Sequence, residues 1–353
     1  MLAGLDAEAI GKRLLVDSNA LGVQLAVVLS NGRLTEMSYG TDFSGRQLRE
    51  ELLSNIYCAF KPVVAFAACA GLMTVGVGLE STVLSLLPWM RNVDPAVTLL
   101  DVLTNRASAV ELPAFLAVVL SQAARHVLLR GLTLTQATSV RYDDVVMWLI
   151  LEEVVGSVLG KSLARLTFEQ VIRPADAEGS VFAEILPGDF HRLSDRLVKD
   201  GLLSDDTRVP HLALARSAVS TRSVPSFLAR STATGLAKCM RFVGERSAEA
   251  GFGAGYDGSR ERMFDSGRGQ DVLYCPGGLV DLNTFLGGDQ IRGSDNFGSY
   301  AGGGAAFSFT RSGGDCAGVV IFSGMTPFPE KAHARYLNAA GIFESLNSSM
   351  RGE

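Results

Sequence analysis

An uncharged run of 18 residues, Pro62 to Leu79, follows directly after Lys61 and constrains the fold more than any other feature of this chain. A run of this length is long enough for a membrane-spanning helix. It contains three glycines, a cysteine, a threonine and several alanines, however, so its hydrophobicity is modest. We therefore expect a buried central helix that ends near Gly71, and no membrane association.

Cys58 and Lys61 stand three residues apart just before this run, in the sequence Cys-Ala-Phe-Lys-Pro. Residues at this spacing share one face of a helix, so both side chains can point into one cleft. The positive end of a helix and the nearby ammonium of Lys61 favour a thiolate at Cys58. The pattern predicts a cysteine nucleophile whose own N–H is a candidate oxyanion donor. The alternative is a small buried cysteine beside a lysine whose stem lies along apolar surface.

The composition excludes several classes of protein. With 353 residues, 47% hydrophobic and 20% charged, the chain can bury the core of one large α/β domain or two subdomains. A net charge of −5 without dense runs of lysine or arginine gives no support for nucleic-acid binding. The five cysteines show no pattern of zinc ligands, so we expect no metal and no other cofactor. Because the first residues lack a secretory signal, we expect a cytoplasmic protein with reduced thiols.

Strand patterns occur near both ends of the chain, and helical patterns fill the middle. Residues 23–30 and 34–39 are separated by Asn31-Gly32, a strong hairpin signal. Strand patterns return at 305–310 and 318–322, whereas residues 251–304 are rich in glycine and are expected to form loops. We therefore expect an α/β (α+β) fold with one antiparallel sheet built from N- and C-terminal segments.

This order of elements also predicts a division of the chain. Residues 1–60 and 290–353 are expected to form an α/β subdomain, and residues 61–289 an inserted helical subdomain. The active site is expected at the interface between the two.

Six segments resemble, in the same order, motifs of the β-lactamase-like serine hydrolases and penicillin-binding proteins, above all the branch of class C β-lactamases, family VIII esterases and acyltransferases. These segments are Cys58–Pro62, Leu86–Met90, Thr98–Ser108, Arg141–Asp144 with the following run to Lys161, Ser223–Ala237, and Asn296–Gly304. The resemblance implies the serine β-lactamase-like fold over residues 1–353 as a single domain. It also implies catalysis through a covalent acyl-enzyme.

The resemblance gives each site residue a role. Cys58 takes the place of the nucleophilic serine, and Lys61 and Tyr142 form the proton-transfer pair. The Gly302 N–H is the candidate for the second oxyanion donor. The other residues expected in the oxyanion and substrate-binding region are Asp144, Ser299, Tyr300 and Ala301.

Several of these positions depart from the family pattern. Cysteine replaces serine at 58, Ser299 replaces a histidine or lysine, and Ala301 replaces a glycine. Asp144 replaces an asparagine, and three readings of it stay open. It pairs with Lys61 and weakens that lysine as a base, it holds an amine group of a substrate, or it caps the following helix.

The function expected from the resemblance is acyl transfer in specialised metabolism. A small-molecule donor, either an ester or a carrier- or CoA-bound thioester, loads Cys58, and an amine or alcohol accepts the acyl group. An acyl-thioester stays reactive toward amines, whereas hydrolysis of a stable substrate gains nothing obvious from losing the serine. The first alternative is a cysteine-dependent esterase, amidase or thioesterase. The second is an inactive protein that kept only the binding cleft.

Overall fold

The computed structural model describes residues 7–16, 18–109, 122–137, 139–142, 146–185, 187–198, 228–247, 263–265, 270–280, 296–326 and 328–351. The helices in these ranges are α1 (Ala7–Leu15), α2 (Lys61–Met73), α3 (Val83–Leu86), α4 (Leu99–Leu103), α5 (Gln122–Gly131), α6 (Val146–Leu159), α7 (Leu163–Thr167), α8 (Pro187–Leu193), α9 (Ala233–Ser247) and α10 (Pro329–Arg351). The strands are β1 (Gly22–Leu29), β2 (Leu34–Gly40), β3 (Ser54–Asn55), β4 (Asn92–Val93), β5 (Ala107–Ala109), β6 (Thr133–Gln136), β7 (Val181–Phe182), β8 (Arg230–Ser231), β9 (Met263–Asp265), β10 (Gln270–Cys275), β11 (Gly278–Val280), β12 (Asn296–Tyr300), β13 (Ala306–Arg311) and β14 (Cys316–Phe322).

An eight-stranded antiparallel sheet organises the described part of the chain, in the order β2-β1-β14-β13-β12-β11-β10-β9. β1 forms a hairpin with β2 and pairs on its other edge with β14, where Val23 lies opposite Phe322. Gly32, in the hairpin turn, has a φ of +79°, which glycine adopts without strain. The prediction that both chain ends share one antiparallel sheet is confirmed.

Helices cover both faces of the sheet along β1 and β14, where every residue is buried. Along β1, Val23 and Leu25 belong to an apolar cluster with α1 and α10, whereas Ala26 and Val28 belong to a second cluster with α2 and α9. Successive side chains of a strand point to opposite faces, so both sets of β1 residues need apolar neighbours. This explains why β1 is apolar at nearly every position.

Helix α2 is the uncharged segment, and it lies inside the molecule. No residue from Val63 to Cys69 is more than 5% exposed. Pro62 stands in its first turn, where the missing N–H costs no helical hydrogen bond. Among the described residues, no helix is long and apolar enough to cross a membrane. The predicted buried central helix is confirmed.

The glycine-rich region expected to form loops contains four strands, β9 to β12. They extend the main sheet, so the expectation of loops is wrong for these described residues. Pro276-Gly277-Gly278 lies where β10 turns into β11, and this sequence is itself a turn signal. The division of the chain into two subdomains stays a prediction.

Two three-stranded sheets flank the main one, in the orders β3-β8-β7 and β4-β6-β5. Strand β3 ends three residues before Cys58, and β5 begins two residues after Asn105. The small sheets therefore anchor the two chain segments that lead into the candidate site.

Candidate active site

Cys58 lies in a 3-10 turn, Tyr57–Phe60, that leads from β3 into α2. Tyr57 has a φ of +44°, a left-handed conformation that is rare for a bulky residue and marks local strain. The Lys61 N–H donates to the Cys58 carbonyl, and Ser308 Oγ donates to the Ala59 carbonyl at 2.7 Å. These bonds close the turn and tie it to β13. A strained bend held in this way is typical of a functional position.

Lys61 is buried with its ammonium group among aromatic rings. Its Nζ donates to Tyr142 Oη at 2.9 Å and lies 4.2 Å from the centroid of the Tyr142 ring. The Trp148 ring centroid lies 5.2 Å from the same nitrogen. The electron-rich faces of the two rings stabilise the buried positive charge. The hydrogen bond is short enough for a proton to pass between Lys61 and Tyr142.

A narrow cleft lies beside this pair, and its cavity volume of about 10 Å³ is roughly the space of one water molecule. Of the residues expected from the sequence, Lys61, Tyr142, Ser299 and Tyr300 line it. Cys58, Ala301 and Gly302 are not among the described lining residues. Cys58 occupies the adjoining turn and is 2% exposed. Asp144 lies outside the described residues, and so do residues 223–226 of the motif that includes Ala237.

The structure adds lining residues that the sequence analysis did not predict as site residues, namely Leu103, Asn105, Trp148, Tyr274, Gly277 and Gly278. Tyr142 stacks with both Tyr274 and Tyr300, and each pair of ring centroids is 6.3 Å apart. Tyr274 Oη donates to the buried Asp265 carboxylate at 2.8 Å, which fixes the ring. Three tyrosines from separate segments thus form one wall of the cleft.

These missed residues differ in the sequence signal they carry. Tyr274 lies in an apolar stretch just before Pro276-Gly277-Gly278, a pattern that predicts a hairpin. Trp148 lies in a continuous apolar helix, where no local feature distinguishes a cleft residue from a core residue.

Gly302 follows the last part of the β12–β13 pairing. The Ala301 N–H donates to the Ala306 carbonyl at 2.8 Å, and residues Gly302–Gly304 then form a 3-10 turn. Gly303 and Gly304 have φ values of +65° and +69°, so glycine suits both positions. Strands β12 and β13 pack against the turn that holds Cys58. Gly302 therefore begins the turn that follows β12, one of the two strands packed against the Cys58 turn.

Three other cysteines lie in environments that suppress thiol chemistry. Burial raises the pKa of Cys69, Cys239 and Cys275 to about 12 in each case. A thiolate is the reactive form of cysteine, so these three thiols are inert near neutral pH.

Comparison with known proteins assigns this arrangement to one family. The family model described as "Beta-lactamase" matches residues 8–341. No curated protein matches the chain.

Solved structures of similar fold cover nearly the whole chain. A penicillin-binding protein homologue from Caulobacter crescentus is 16% identical, with a TM-score of 0.71 over 96% of this chain and 97% of its own. EstCE1, described as a hydrolase with promiscuous acyltransferase activity, is 13% identical, with a TM-score of 0.68 over 95% of this chain and 97% of its own. A variant of simvastatin synthase from Aspergillus terreus is 12% identical, with a TM-score of 0.67 over 97% of this chain and 98% of its own. At these identities the likeness shows the fold.

Proposed function

Because the chain belongs to the beta-lactamase family, we propose that it is an acyltransferase that works through a thioester on Cys58. Proteins of this fold include enzymes that hydrolyse or transfer acyl groups. The proposed donor is a small-molecule ester or thioester, and the proposed acceptor is an amine or alcohol. A role in the synthesis of specialised metabolites is part of the proposal.

The observation that carries the proposal is the hydrogen bond of 2.9 Å between Lys61 Nζ and Tyr142 Oη. Lys61 follows Cys58 by three residues, so this pair lies next to the proposed nucleophile. A buried lysine and tyrosine in direct contact can take a proton from one reacting group and return it to another. Acyl transfer needs both steps.

The proposed reaction has two halves, the loading of Cys58 with the acyl group and the transfer of that group to the acceptor. The Lys61–Tyr142 pair begins with one proton fewer than an ammonium and a hydroxyl together, so it can take the proton of the Cys58 thiol while the sulfur attacks the acyl carbon. The bond from that carbon to the leaving oxygen or sulfur breaks, and the leaving group takes the proton. In the second half, the acceptor attacks the thioester carbon and gives its proton to the pair. The carbon–sulfur bond then breaks, and Cys58 recovers a proton.

Two backbone N–H groups are proposed to stabilise the charge that develops on the acyl oxygen. One is the N–H of Cys58, and the other is the N–H of Gly302. Support comes from the packing of β12 and β13 against the Cys58 turn, which brings the two chain segments together. Fixed donors of this kind act without reorganisation at the moment of reaction.

Transfer is favoured over hydrolysis by the chemistry of the thioester and by the cleft. A thioester on Cys58 reacts readily with amines, so a cysteine suits transfer to an acceptor. The wall formed by Tyr142, Tyr274 and Tyr300 offers apolar ring surface on which an acceptor can displace water. The neighbour described as a hydrolase with promiscuous acyltransferase activity has the same fold, which is compatible with either outcome.

The burial of Cys58, at 2% exposed, favours one other candidate, a binding protein without catalytic activity. In such a protein the cleft would bind a ligand, and Cys58 would be a structural thiol.

Intact-mass spectrometry after brief incubation with a panel of acyl thioesters and activated esters tests the proposal. We expect wild-type protein to gain the mass of one acyl group and to lose it faster to amines than to water. Cys58→Ala should gain nothing. Cys239→Ala is the matched control, since it removes a buried thiol outside the cleft, and it should acylate like wild type.

The other outcomes separate the candidates. An adduct discharged only by water would establish the hydrolase instead. An adduct that persists in Cys58→Ala would refute Cys58 as the nucleophile. If no donor gives an adduct and Cys58 is alkylated slowly, the favoured function becomes ligand binding in the cleft without catalysis.

A further inference from the structure

We propose that Tyr336, on α10, is a positioning residue that orients the Gly302 N–H for its role as oxyanion donor. This inference rests on the proposed function and adds a residue that does not line the cleft. Its basis is a hydrogen bond from Tyr336 Oη to the carbonyl oxygen of Ala301.

The Ala301 carbonyl and the Gly302 N–H belong to the same peptide unit. That unit is planar, and the described chain contains no cis peptide bond, so the carbonyl and the N–H point in opposite directions. A donor that holds the carbonyl on the α10 side therefore holds the N–H on the other side. A hydrogen bond to the oxygen also polarises the unit and strengthens the N–H as a donor.

The Tyr336 ring is held firmly enough to act in this way. The residue is 3% exposed, and its ring packs against Tyr300 at 5.3 Å and Phe307 at 5.7 Å between centroids. Tyr300 is the residue just before Ala301 and also lines the cleft. Tyr336 thus contacts both the peptide unit and the strand end that carries it.

The rest of the glycine turn is fixed to the same helix. Arg335 is fully buried, and its Nη1 donates to the carbonyls of Gly304 at 3.0 Å and Gly324 at 2.8 Å. Its Nε donates to the Ser18 carbonyl at 2.7 Å. A second donor, the Gly304 N–H, reaches the Ala301 carbonyl at 3.2 Å. With the turn already held by Arg335, removal of the Tyr336 hydroxyl alone should leave the fold intact.

The test compares two reactions of Cys58 in wild type and Tyr336→Phe. Acylation by an N-acetylcysteamine thioester or a nitrophenyl ester passes through an oxyanion, whereas alkylation by iodoacetamide displaces iodide at a saturated carbon and forms none. We expect acylation to slow about tenfold, less than the loss of a direct oxyanion donor. The alkylation rate should not change.

Glu344→Gln is the matched control. Glu344 joins α10 to β13 through an ion pair with Arg311 at 2.8 Å, away from the Ala301 peptide. The substitution weakens the docking of α10 and leaves the hydrogen bond from Tyr336 to the Ala301 carbonyl in place. The acylation rate and the alkylation rate should therefore both stay at the wild-type values.

Three results would overturn the proposal. The first is wild-type acylation of Tyr336→Phe, which would leave the proposed function standing. The second is an equal fall of both rates in Tyr336→Phe, or a fall of acylation in Glu344→Gln, which would indicate a general effect of helix docking. The third is an absence of acylation in wild type itself, which would remove the proposed function as well.

A second variant covers the case in which Tyr336→Phe does not fold. Incorporation of 3-fluorotyrosine at position 336 keeps the ring and makes the hydroxyl a stronger donor. Acylation should then become faster while alkylation stays the same, and an unchanged acylation rate would contradict the proposal.

Discussion

At the scale of single residues, the buried side chain of Lys61 is the strongest indication of a functional site. Taking a charge out of water is costly, and Lys61 is 1% exposed. Two aromatic rings and the Tyr142 Oη lie within 5.2 Å of its Nζ. A lysine at this position costs stability relative to an apolar side chain of similar size, which agrees with the catalytic role that we propose for Lys61.

The first prediction concerns this pair. Lys61→Met and Tyr142→Phe should each slow acylation of Cys58 about a hundredfold, because each removes one partner of the proton-transfer step. Lys61→Met should unfold at the same or a higher temperature than wild type, since methionine fills the space without a buried charge. Intact-mass time courses and thermal denaturation measure the two effects.

The double variant and a surface control make this prediction specific. If the two residues act as a unit, the double variant should be no slower than the slower single variant. Lys238→Met removes an exposed ion pair with Asp176 at 3.2 Å and should leave acylation unchanged. Losses that multiply in the double variant would show that Lys61 and Tyr142 act in separate steps.

At the scale of elements, the turn between β10 and β11 connects the main sheet to α2, the helix that begins three residues after Cys58. Gly277 has a φ of +82°, and its N–H donates to the Leu103 carbonyl at 3.2 Å. A Cβ at this position would lie 2.5 Å from the Ala65 Cβ and 3.0 Å from the Lys61 carbonyl. The turn therefore rests directly on the first two turns of α2.

The second prediction follows from that contact. Gly277→Ala should lower the free energy of unfolding by about 3 kcal/mol, of which about 1 kcal/mol is backbone strain and the rest is overpacking against α2. Acylation should also slow, because the displaced backbone is that of Lys61. Urea denaturation and the acylation assay give both values.

Gly32→Ala is the control for backbone strain alone. Gly32 has a nearly equal φ of +79°, and nothing lies within 4 Å of the position that its Cβ would take. We expect a loss of about 1 kcal/mol and normal acylation. If Gly277→Ala and Gly32→Ala lose the same free energy of unfolding, overpacking against α2 contributes nothing to the loss.

The same elements show what the sequence could and could not predict. Cys58 and Lys61 are three residues apart, so the contact between their backbones, a bond from the Lys61 N–H to the Cys58 carbonyl, follows from their spacing in a helical turn. The hairpin at Gly32 follows from Asn31-Gly32 in the same way. The contact of Gly277 with α2 joins segments more than 200 residues apart, and glycine content alone predicted a loop where β10 and β11 form.

At the scale of the whole molecule, the fold could be predicted because family motifs occur in order along the chain, and each is local in sequence. The aromatic wall could not, since Tyr142, Tyr274 and Tyr300 meet only when three distant segments pack together. The role that we propose for Tyr336 is even harder to predict from the sequence, because this residue lies on α10, which packs on the face of the sheet opposite to α2.

The dependence of global stability on pH is also a property of the whole molecule, and one carboxyl group dominates the prediction. Glu152, near the middle of α6, is partly buried, and its Oε1 accepts a hydrogen bond from the Leu163 N–H at 3.3 Å, at the start of α7. Burial raises the pKa of this carboxyl from 4.5 to about 7, against the opposing effects of that hydrogen bond and of Arg125. Burial also raises the pKa of Glu184 nearby.

The third prediction is the sign of that dependence. A carboxyl whose pKa is higher in the folded state binds its proton more tightly there, so its contribution to stability is complete below pH 4.5 and is lost as the pH rises to about 7.

The variant Glu152→Gln tests this sign, because the glutamine cannot titrate and its amide oxygen can still accept the hydrogen bond from the Leu163 N–H. It should match wild type near pH 4.5 and be more stable at pH 8 by about 2 kcal/mol, a value reduced from the full linkage because the side chain keeps some contact with solvent. Urea denaturation at both pH values measures this difference, which includes the loss of repulsion between Glu152 and the neighbouring Glu184 and Glu153. Glu178→Gln, which removes the exposed partner of Arg173 at 3.1 Å, should show no such gain at pH 8. A wild-type protein that becomes more stable relative to Glu152→Gln as the pH rises would mean that Glu152 is ionised in the folded state, held by Arg125.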